Sequence, residues 1–242
     1  SSTCLGLRTP LGAALEVLQE RNARAAALCR MAGRVDEHYV YRFPSCAELR
    51  DAEEFIAGGI GVEQMATLGM ILRTNGLPRL HRLRLCVVGF GDACMQALCE
   101  GCGHGAAPLL RSLMLANNKS GPLGAEALAA ALRRGAFPNI EILGVGGNPI
   151  GNQGVAALAV PLRKMPALTK LFLHGCGIGD EGVASLVGNL GKDDFKALKE
   201  LWLCNNKITD AGVAKLLAAL NAGGLPKLVN QPFLLKDNPA SA

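Results

Sequence analysis

Five copies of one pattern, each about 30 residues long, limit the fold of this chain more than any other feature of its sequence. The copies align on one position, which we call the turn position, with spacings of 30, 30, 28 and 30 residues. It is held by Val88, Asn118, Asn148, Cys176 and Asn206. Aliphatic residues stand three, five and eight residues before it in every copy. Repeats of this length are typical of solenoid proteins, in which each unit contacts only its neighbours.

The spacing of the apolar residues changes at the turn position. Before it, the last two apolar residues are two apart, which is the side-chain period of a strand. After it, apolar residues such as Leu158 and Leu162 are four apart, which is one stripe of a helix. Each unit is therefore predicted to form a strand, a turn and a helix. Because one such unit cannot bury its own apolar face, the units must stack.

The asparagine at the turn position has a physical reason. We expect its side chain to point inward, where its amide satisfies unpaired backbone groups of its own unit and of the next. Cys176 is expected to do so more weakly, and Val88 cannot. The unit around Val88 is therefore predicted to be a degenerate, near-terminal repeat.

These features together resemble the ribonuclease-inhibitor-like class of leucine-rich repeats, which includes the repeat regions of NOD-like receptors and of Ran GTPase-activating protein. Clear copies are LTKLFLHGCGIGDEGVASL and LKELWLCNNKITDAGVAKL, and the resemblance covers about residues 77–222. It implies an α/β leucine-rich-repeat solenoid, a horseshoe arc with a parallel β-sheet on its concave side and helices on its convex side.

The chain is predicted to have three parts. Residues 1–57 are assigned to a mostly helical N-terminal cap, residues 58–222 to the repeats, and residues 223–242 to an irregular C-terminal cap and tail. Within the first part, the composition of residues 11–32 favours one helix.

Two segments next to the repeats are candidates for further strands. Residues 50–56 are too charged for us to predict a strand there, so the alternation of Tyr39, Tyr41 and Phe43 is the alternative source of one. At the other end, Phe233, Leu235 and Asn238 fit the strand and turn of a final, irregular unit.

Strand residues between the core positions must point to the opposite face of the sheet, which the resemblance places in the concavity. Four residues before each turn position stand Arg84, Met114, Gly144, Phe172 and Trp202. Trp202, the only tryptophan, neighbours Phe172 there, and aromatic residues on an open face are frequent anchors of protein interfaces. The alternative is that the tail covers them through Phe233 and Leu234.

Other concave residues extend this candidate surface. The cluster of Arg73, Arg79, His81, Arg82 and Arg84 favours an acidic partner, although such clusters are often only a solvated face. Gly144, Gly146 and Gly147 either leave an open notch for a partner or are merely tolerated. The residues predicted to bind a partner are Arg82, Arg84, Met114, Phe172, His174 and Trp202.

Residues that carry chemistry point to no enzyme, no cofactor and no metal site. The chain lacks a phosphate loop of the GxxxxGK(S/T) type. The best catalytic pair, His174 and Cys204, lacks an orienting third group. Cys99, Cys102 and His104 have a spacing that suits zinc but no second pair of ligands, so buried thiols are the favoured interpretation, with metal binding left open.

Composition narrows the location and the partner. Hydrophobic residues make up 50% of the chain and aromatic residues 4%, which excludes a disordered chain and disfavours nucleic-acid binding by stacking. No apolar run approaches the roughly 18 residues of a membrane span. Nine cysteines argue for an intracellular, reducing compartment. The cytoplasm is favoured, with an organelle as the alternative because a chain starting at Ser1 suggests processing or trimming.

We therefore predict a non-catalytic protein–protein interaction module or scaffold, a subunit of a larger assembly that binds its partner on the concave face. The partner is a protein, with an acidic patch as one option, and the oligomeric state is left open. The resemblance adds two alternatives, a GTPase regulator similar to Ran GTPase-activating protein and a ligand-sensing repeat region of the NOD-like receptor type.

Overall fold

The computed structural model describes residue 26 and residues 46–57, 61–86, 89, 91–228 and 234–240. Strands and helices alternate along these residues. The strands are β1 (Glu54–Ala57), β2 (Arg82–Leu85), β3 (Ser112–Met114), β4 (Ile142–Gly144), β5 (Lys170–Phe172) and β6 (Glu200–Trp202). The helices are α1 (Cys46–Asp51), α2 (Val62–Arg73), α3 (Gly91–Gly101), α4 (Pro122–Arg133), α5 (Gly151–Arg163), α6 (Asp180–Val187) and α7 (Asp210–Asn221).

The six strands form one parallel sheet in the order in which they occur along the chain. Each residue pairs with its counterpart in the next repeat, as Leu83 does with Leu113 and Leu113 with Leu143. Parallel neighbours need a crossover connection, which the helix of each repeat supplies. The predicted α/β leucine-rich-repeat solenoid is confirmed.

The core lies between the sheet and the helices. Consecutive helices pack side by side from α2 to α7. The strand residues that face them are all apolar and buried. These are Phe55, Ala57, Leu83, Leu85, Leu113, Leu143, Leu171 and Leu201. We call the other side of the sheet the open face, since among the described residues no helix packs on it.

Asparagines at the turn position connect neighbouring repeats, but the neighbour is the preceding repeat, and the prediction of the next one is wrong. Nδ2 of Asn148 donates to the carbonyls of Val145 at 2.7 Å and Leu115 at 2.8 Å. Its Oδ1 accepts from the backbone N–H groups of Asn118 at 2.9 Å and Ser120 at 3.1 Å. One buried side chain thus satisfies four backbone groups in two repeats.

Asn206 makes the same four contacts one repeat later, with its Oδ1 accepting from Cys176 N and Ile178 N. Cys176 forms only long sulfur contacts, including one of 3.5 Å to the carbonyl oxygen of Val145. We call this run of turn-position contacts the ladder. Val88 lies outside the described residues.

The N-termini of neighbouring helices are also joined, by a capping residue in the first turn of the preceding helix. Oδ1 of Asp92 in α3 accepts from the N–H groups of Gly121 at 2.6 Å and Gly124 at 2.8 Å, at the start of α4. Asn152 in α5 does the same for α6. Because the N-terminal N–H groups of a helix lack partners within the helix, α3 and α5 in this way stabilise the helices that follow them.

The prediction that residues 50–56 form no strand is wrong, because β1 occupies Glu54–Ala57 and pairs with β2. Phe55 and Ala57 enter the core, while the acidic neighbours Glu53 and Glu54 form ion pairs with Arg79 and Arg82 of the next repeat. The acidic residues that seemed to exclude a strand are thus paired with arginines of the neighbouring repeat. The alternative strand around Tyr39, Tyr41 and Phe43, and the helix over 11–32 except its residue 26, lie outside the described residues.

The C-terminal segment continues the ladder. Nδ2 of Asn238 donates to the carbonyls of Leu203 at 2.8 Å and Leu235 at 2.9 Å. Leu203 N–H donates to the carbonyl of Leu234 at 3.0 Å, which is the step that Leu173 N–H makes to Trp202. The predicted final unit is therefore present around Leu235 and Asn238, whereas Phe233 lies outside the described residues. No helix in the described part of the chain is long and apolar enough to cross a membrane.

Candidate functional site

The open face carries one row of residues in register across the sheet. The row consists of Ile56, Arg84, Met114, Gly144, Phe172 and Trp202. The hydrogen bond from Leu203 to Leu234 places Leu234 next to Trp202, at the end of this row. We call these seven residues the open-face row. The predicted neighbours Arg84, Met114, Phe172 and Trp202 are thus brought into one line.

Phe172 and Trp202 form an aromatic pair at one end of the row. Their ring centroids lie 5.3 Å apart with an interplanar angle of 88°, which is the favoured edge-to-face geometry. Both side chains are half-buried. The indole Nε1 of Trp202 is buried and has no acceptor among the described residues. The pair is therefore a preformed apolar surface with one unsatisfied donor.

The glycine notch is not open, contrary to the first of the two expectations for it. A Cβ atom on Gly144 would lie 2.7 Å from Cε and Sδ of Met114, and one on Gly146 would overlap the imidazole ring of His174. The side chains of the neighbouring strands therefore fill the space. A Cβ atom at Gly144 or Gly146 would therefore require the neighbouring side chain to move, not the backbone.

His174 lies over Gly146 and joins the aromatic end of the open face. Its Nδ1 is buried and has no hydrogen-bond partner among the described residues. Burial lowers the pKa of the imidazole below its ordinary value, because the charged form loses hydration. The ring is therefore held neutral near pH 7, as an apolar contact with a polar edge.

The basic end of the open face is partly neutralised. Arg82 forms a 3.1 Å ion pair with Glu54, and Arg79 forms a 3.3 Å ion pair with Glu53. Two of the five residues in the predicted cluster are thus held in cross-strand ion pairs. Arg84 is exposed, and among the described residues no carboxylate pairs with it.

Comparison with known proteins agrees with the repeated strand–helix architecture. A family model described as Leucine Rich repeat matches residues 138–159 and 164–187, which contain β4 with most of α5 and β5 with the whole of α6. The chain carries leucine-rich repeats. A search of the curated proteins finds no match to the chain.

The cysteines of the leucine-rich repeats are buried thiols. Cys99 and Cys102 are each about 1% exposed, and burial raises the pKa of Cys102 to about 12 and that of Cys99 further. Arg134 donates to the carbonyls of both. His104 is exposed, with its ring against Gly135. Across the described ranges, no group of three or more His, Cys, Asp or Glu residues is arranged to hold a metal ion.

The pair of His174 and Cys204 has no features of a nucleophile and its base. Burial raises the pKa of Cys204, so the protonated thiol predominates near pH 7, and burial lowers that of His174. An activated cysteine requires the opposite shift. The pair therefore belongs to the packing of the open face.

Two residues of the open-face row, Ile56 and Leu234, are absent from the predicted site. The sequence could have placed Leu234 in the row, since Leu234 precedes Asn238 by four residues, as Trp202 precedes Asn206. It could not have placed Ile56 there, because the turn of that repeat lacks the asparagine that marks the alignment.

Proposed function

We propose that this leucine-rich-repeat protein is a non-catalytic interaction module or scaffold that binds a protein partner on its open face. The aromatic pair of Phe172 and Trp202 carries the proposal. The other predicted contacts, Arg82, Arg84, Met114 and His174, surround it. We also assign the repeats to the ribonuclease-inhibitor-like class, supported by a full helix in most units and a spacing of 28–30 residues.

The fold does not need these aromatic side chains. Their strand neighbours Leu171 and Leu201 already fill the core on the helix side. Apolar residues that gather on an exposed face, with nothing in the core to explain them, are a frequent mark of a binding surface. Tryptophan supplies a large contact area at a small cost in side-chain entropy, which suits an anchor.

The charges of the open face favour a protein over a nucleic acid. Lys170 pairs with Glu200 at 2.7 Å, and Arg82 pairs with Glu54, so two cations are already compensated. A polyanion would need many uncompensated cations. An acidic group of the partner would be placed at Arg84. The buried, protonated thiols fit a reducing, intracellular compartment, in which we place the protein.

The decisive experiment is quantitative affinity capture from lysate with wild type and with the double variant Phe172→Ala, Trp202→Ala. The matched control is Leu217→Ala, which removes a large side chain that is 52% exposed on α7, away from the open face. Circular dichroism checks that all three are folded. We expect partners that the double variant loses by about tenfold or more and the control retains. Partners that bind all three proteins equally would place the interface elsewhere.

A further inference from the structure

Arg84 differs from every other charged residue that points from the strands into the open face. The others form cross-strand pairs, Glu54 with Arg82 and Lys170 with Glu200. Arg84 stands between Ile56 and Met114 in the register, and neither can neutralise it. It is also the only charged residue of the open-face row. A cation placed among apolar neighbours gains from a carboxylate more than one that is already paired.

The row sets the distance between this cation and the aromatic anchor. Arg84 in β2 and Trp202 in β6 are separated by four strand spacings, which is about 19 Å. Met114 and Phe172 make the surface between them apolar. A ligand that reaches both ends therefore needs an acidic group and an apolar group at that separation, with an uncharged stretch between.

We infer that the open-face row recognises a peptide segment of a protein partner that carries one carboxylate for Arg84 and one aromatic or large aliphatic side chain for Trp202 and Phe172, about 19 Å away. An extended segment covers this distance in about six residues and a helix in about twelve. The inference rests on the proposed function, because it uses the same surface, and it adds the chemistry and the spacing of the partner.

A phage-displayed library of random 16-residue peptides tests this inference and does not require that the partner be identified first. The library is selected on wild type and on Arg84→Glu. The matched control is Arg111→Glu, which reverses the charge of an exposed arginine that stands just before β3, pairs with Glu141 and lies outside the open-face row. Selected peptides are then synthesised with their carboxylate replaced by an amide, and with the acid moved along the sequence.

We expect peptides that need Trp202 and contain an essential Asp or Glu. Arg84→Glu should weaken their binding about tenfold, and a lysine in place of the acid should restore it. Arg111→Glu should weaken it less than about threefold, because Arg111 is exposed, already paired with Glu141 and outside the open-face row. Affinity should peak near a separation of six or twelve residues.

Three results would overturn the inference. Peptides that need Trp202 but no carboxylate would exclude the role of Arg84, as would equal losses from the two arginine variants. An optimum with the acid fewer than five residues from the anchor would exclude the spacing. All three would leave the proposed function intact. If no selected peptide is sensitive to Trp202→Ala or Phe172→Ala in proteins that remain folded, the proposed function fails as well.

Discussion

The ladder and the open-face row are built from the same repeats but follow opposite rules. Along the ladder, the position carries asparagine in Asn118, Asn148, Asn206 and Asn238, with similar hydrogen bonds each time. Along the row, the corresponding position carries arginine, methionine, glycine, phenylalanine and tryptophan in turn. Residues in the ladder satisfy backbone groups that every repeat has, whereas residues in the row satisfy nothing within the fold.

This difference separates stability from recognition. A side chain that pairs with two repeats holds them together, so its loss should unfold the protein. A side chain that points from the sheet into the open face should affect binding more than folding. Substitutions at paired positions in the two regions test this division directly.

The largest effect should come from Asn148→Ala. The change leaves the buried N–H groups of Asn118 and Ser120 without an acceptor and removes one of the donors to the carbonyls of Val145 and Leu115, so we expect the free energy of unfolding to fall by about 3 to 5 kcal/mol. Urea denaturation followed by circular dichroism measures it. Asn139→Ala is the control, because Asn139 donates to the carbonyl of Pro108 from an exposed position, and it should cost less than about 1 kcal/mol. Equal losses would show that the ladder has no special role.

A pair of glycine substitutions should give the next largest difference. In Gly69→Ala the new Cβ would lie 2.5 Å from the backbone oxygen of Leu98 and 3.0 Å from Cα of Gly101, and neither can turn aside. We expect a loss of about 2 to 3 kcal/mol in the free energy of unfolding.

Gly146→Ala is the open-face counterpart, because its new Cβ meets only the imidazole of His174, which can rotate away. We expect a loss below about 1 kcal/mol, together with a displaced His174 resonance in the NMR spectrum. A loss as large as that of Gly69→Ala would mean that the open face is as rigid as the core, and the proposed division would be wrong.

A smaller effect of opposite sign is expected from Cys176→Asn. Cys176 is the described ladder position without an amide, and the backbone N–H group of Asn148 contacts its sulfur, whereas that of Gly147 donates to the carbonyl of His174 at 2.7 Å. An asparagine Oδ1 at this position should accept a hydrogen bond from the backbone N–H group more strongly than the sulfur does. The substitution should therefore raise the free energy of unfolding by about 1 kcal/mol. Thermal denaturation of the variant beside wild type measures the change. A lower midpoint would show that the site is too small for an amide.

The smallest effect should be a change in acid sensitivity from Asp194→Asn. Asp194 is buried and accepts from Lys164 Nζ at 2.6 Å, and this contact, with the Gly191 N–H, holds the pKa of its carboxyl below its ordinary value. Because the folded-state pKa is the lower one, the carboxylate stabilises the fold at neutral pH, and this contribution is lost as the pH falls below about 4.

We therefore expect the urea midpoint of wild type to fall more than that of Asp194→Asn between about pH 5 and about pH 3, the range in which the ordinary carboxyl group titrates. Lys164→Ala should flatten the profile as well, because it removes the main cause of the shift. Parallel profiles for wild type and both variants would exclude a role for this ion pair in acid stability.

Much of the fold was predictable because every repeat must bury an apolar face and satisfy the backbone groups left unpaired at the end of its strand. The leucines three and five residues before each turn position, and the inward asparagines, follow from burial and from unpaired backbone groups. The strand at Glu54–Ala57 was missed because Glu53 and Glu54 look unfavourable until their arginine partners are placed beside them. Five of the seven residues in the open-face row, from Arg84 to Trp202, were also predictable, since side chains alternate along a strand.

The amino-acid sequence was sufficient to establish the strand–turn–helix unit, the stacking of the units and the face on which each strand residue lies, because these depend on periods and on local hydrogen bonding. Stacking of the repeats was needed to show that Met114 and His174 fill the space above the glycines, that Arg82 is paired and Arg84 is not, and that Leu234 extends the row beyond Trp202. These outcomes depend on contacts between residues about 30 positions apart, whose distances exist only once the repeats are stacked.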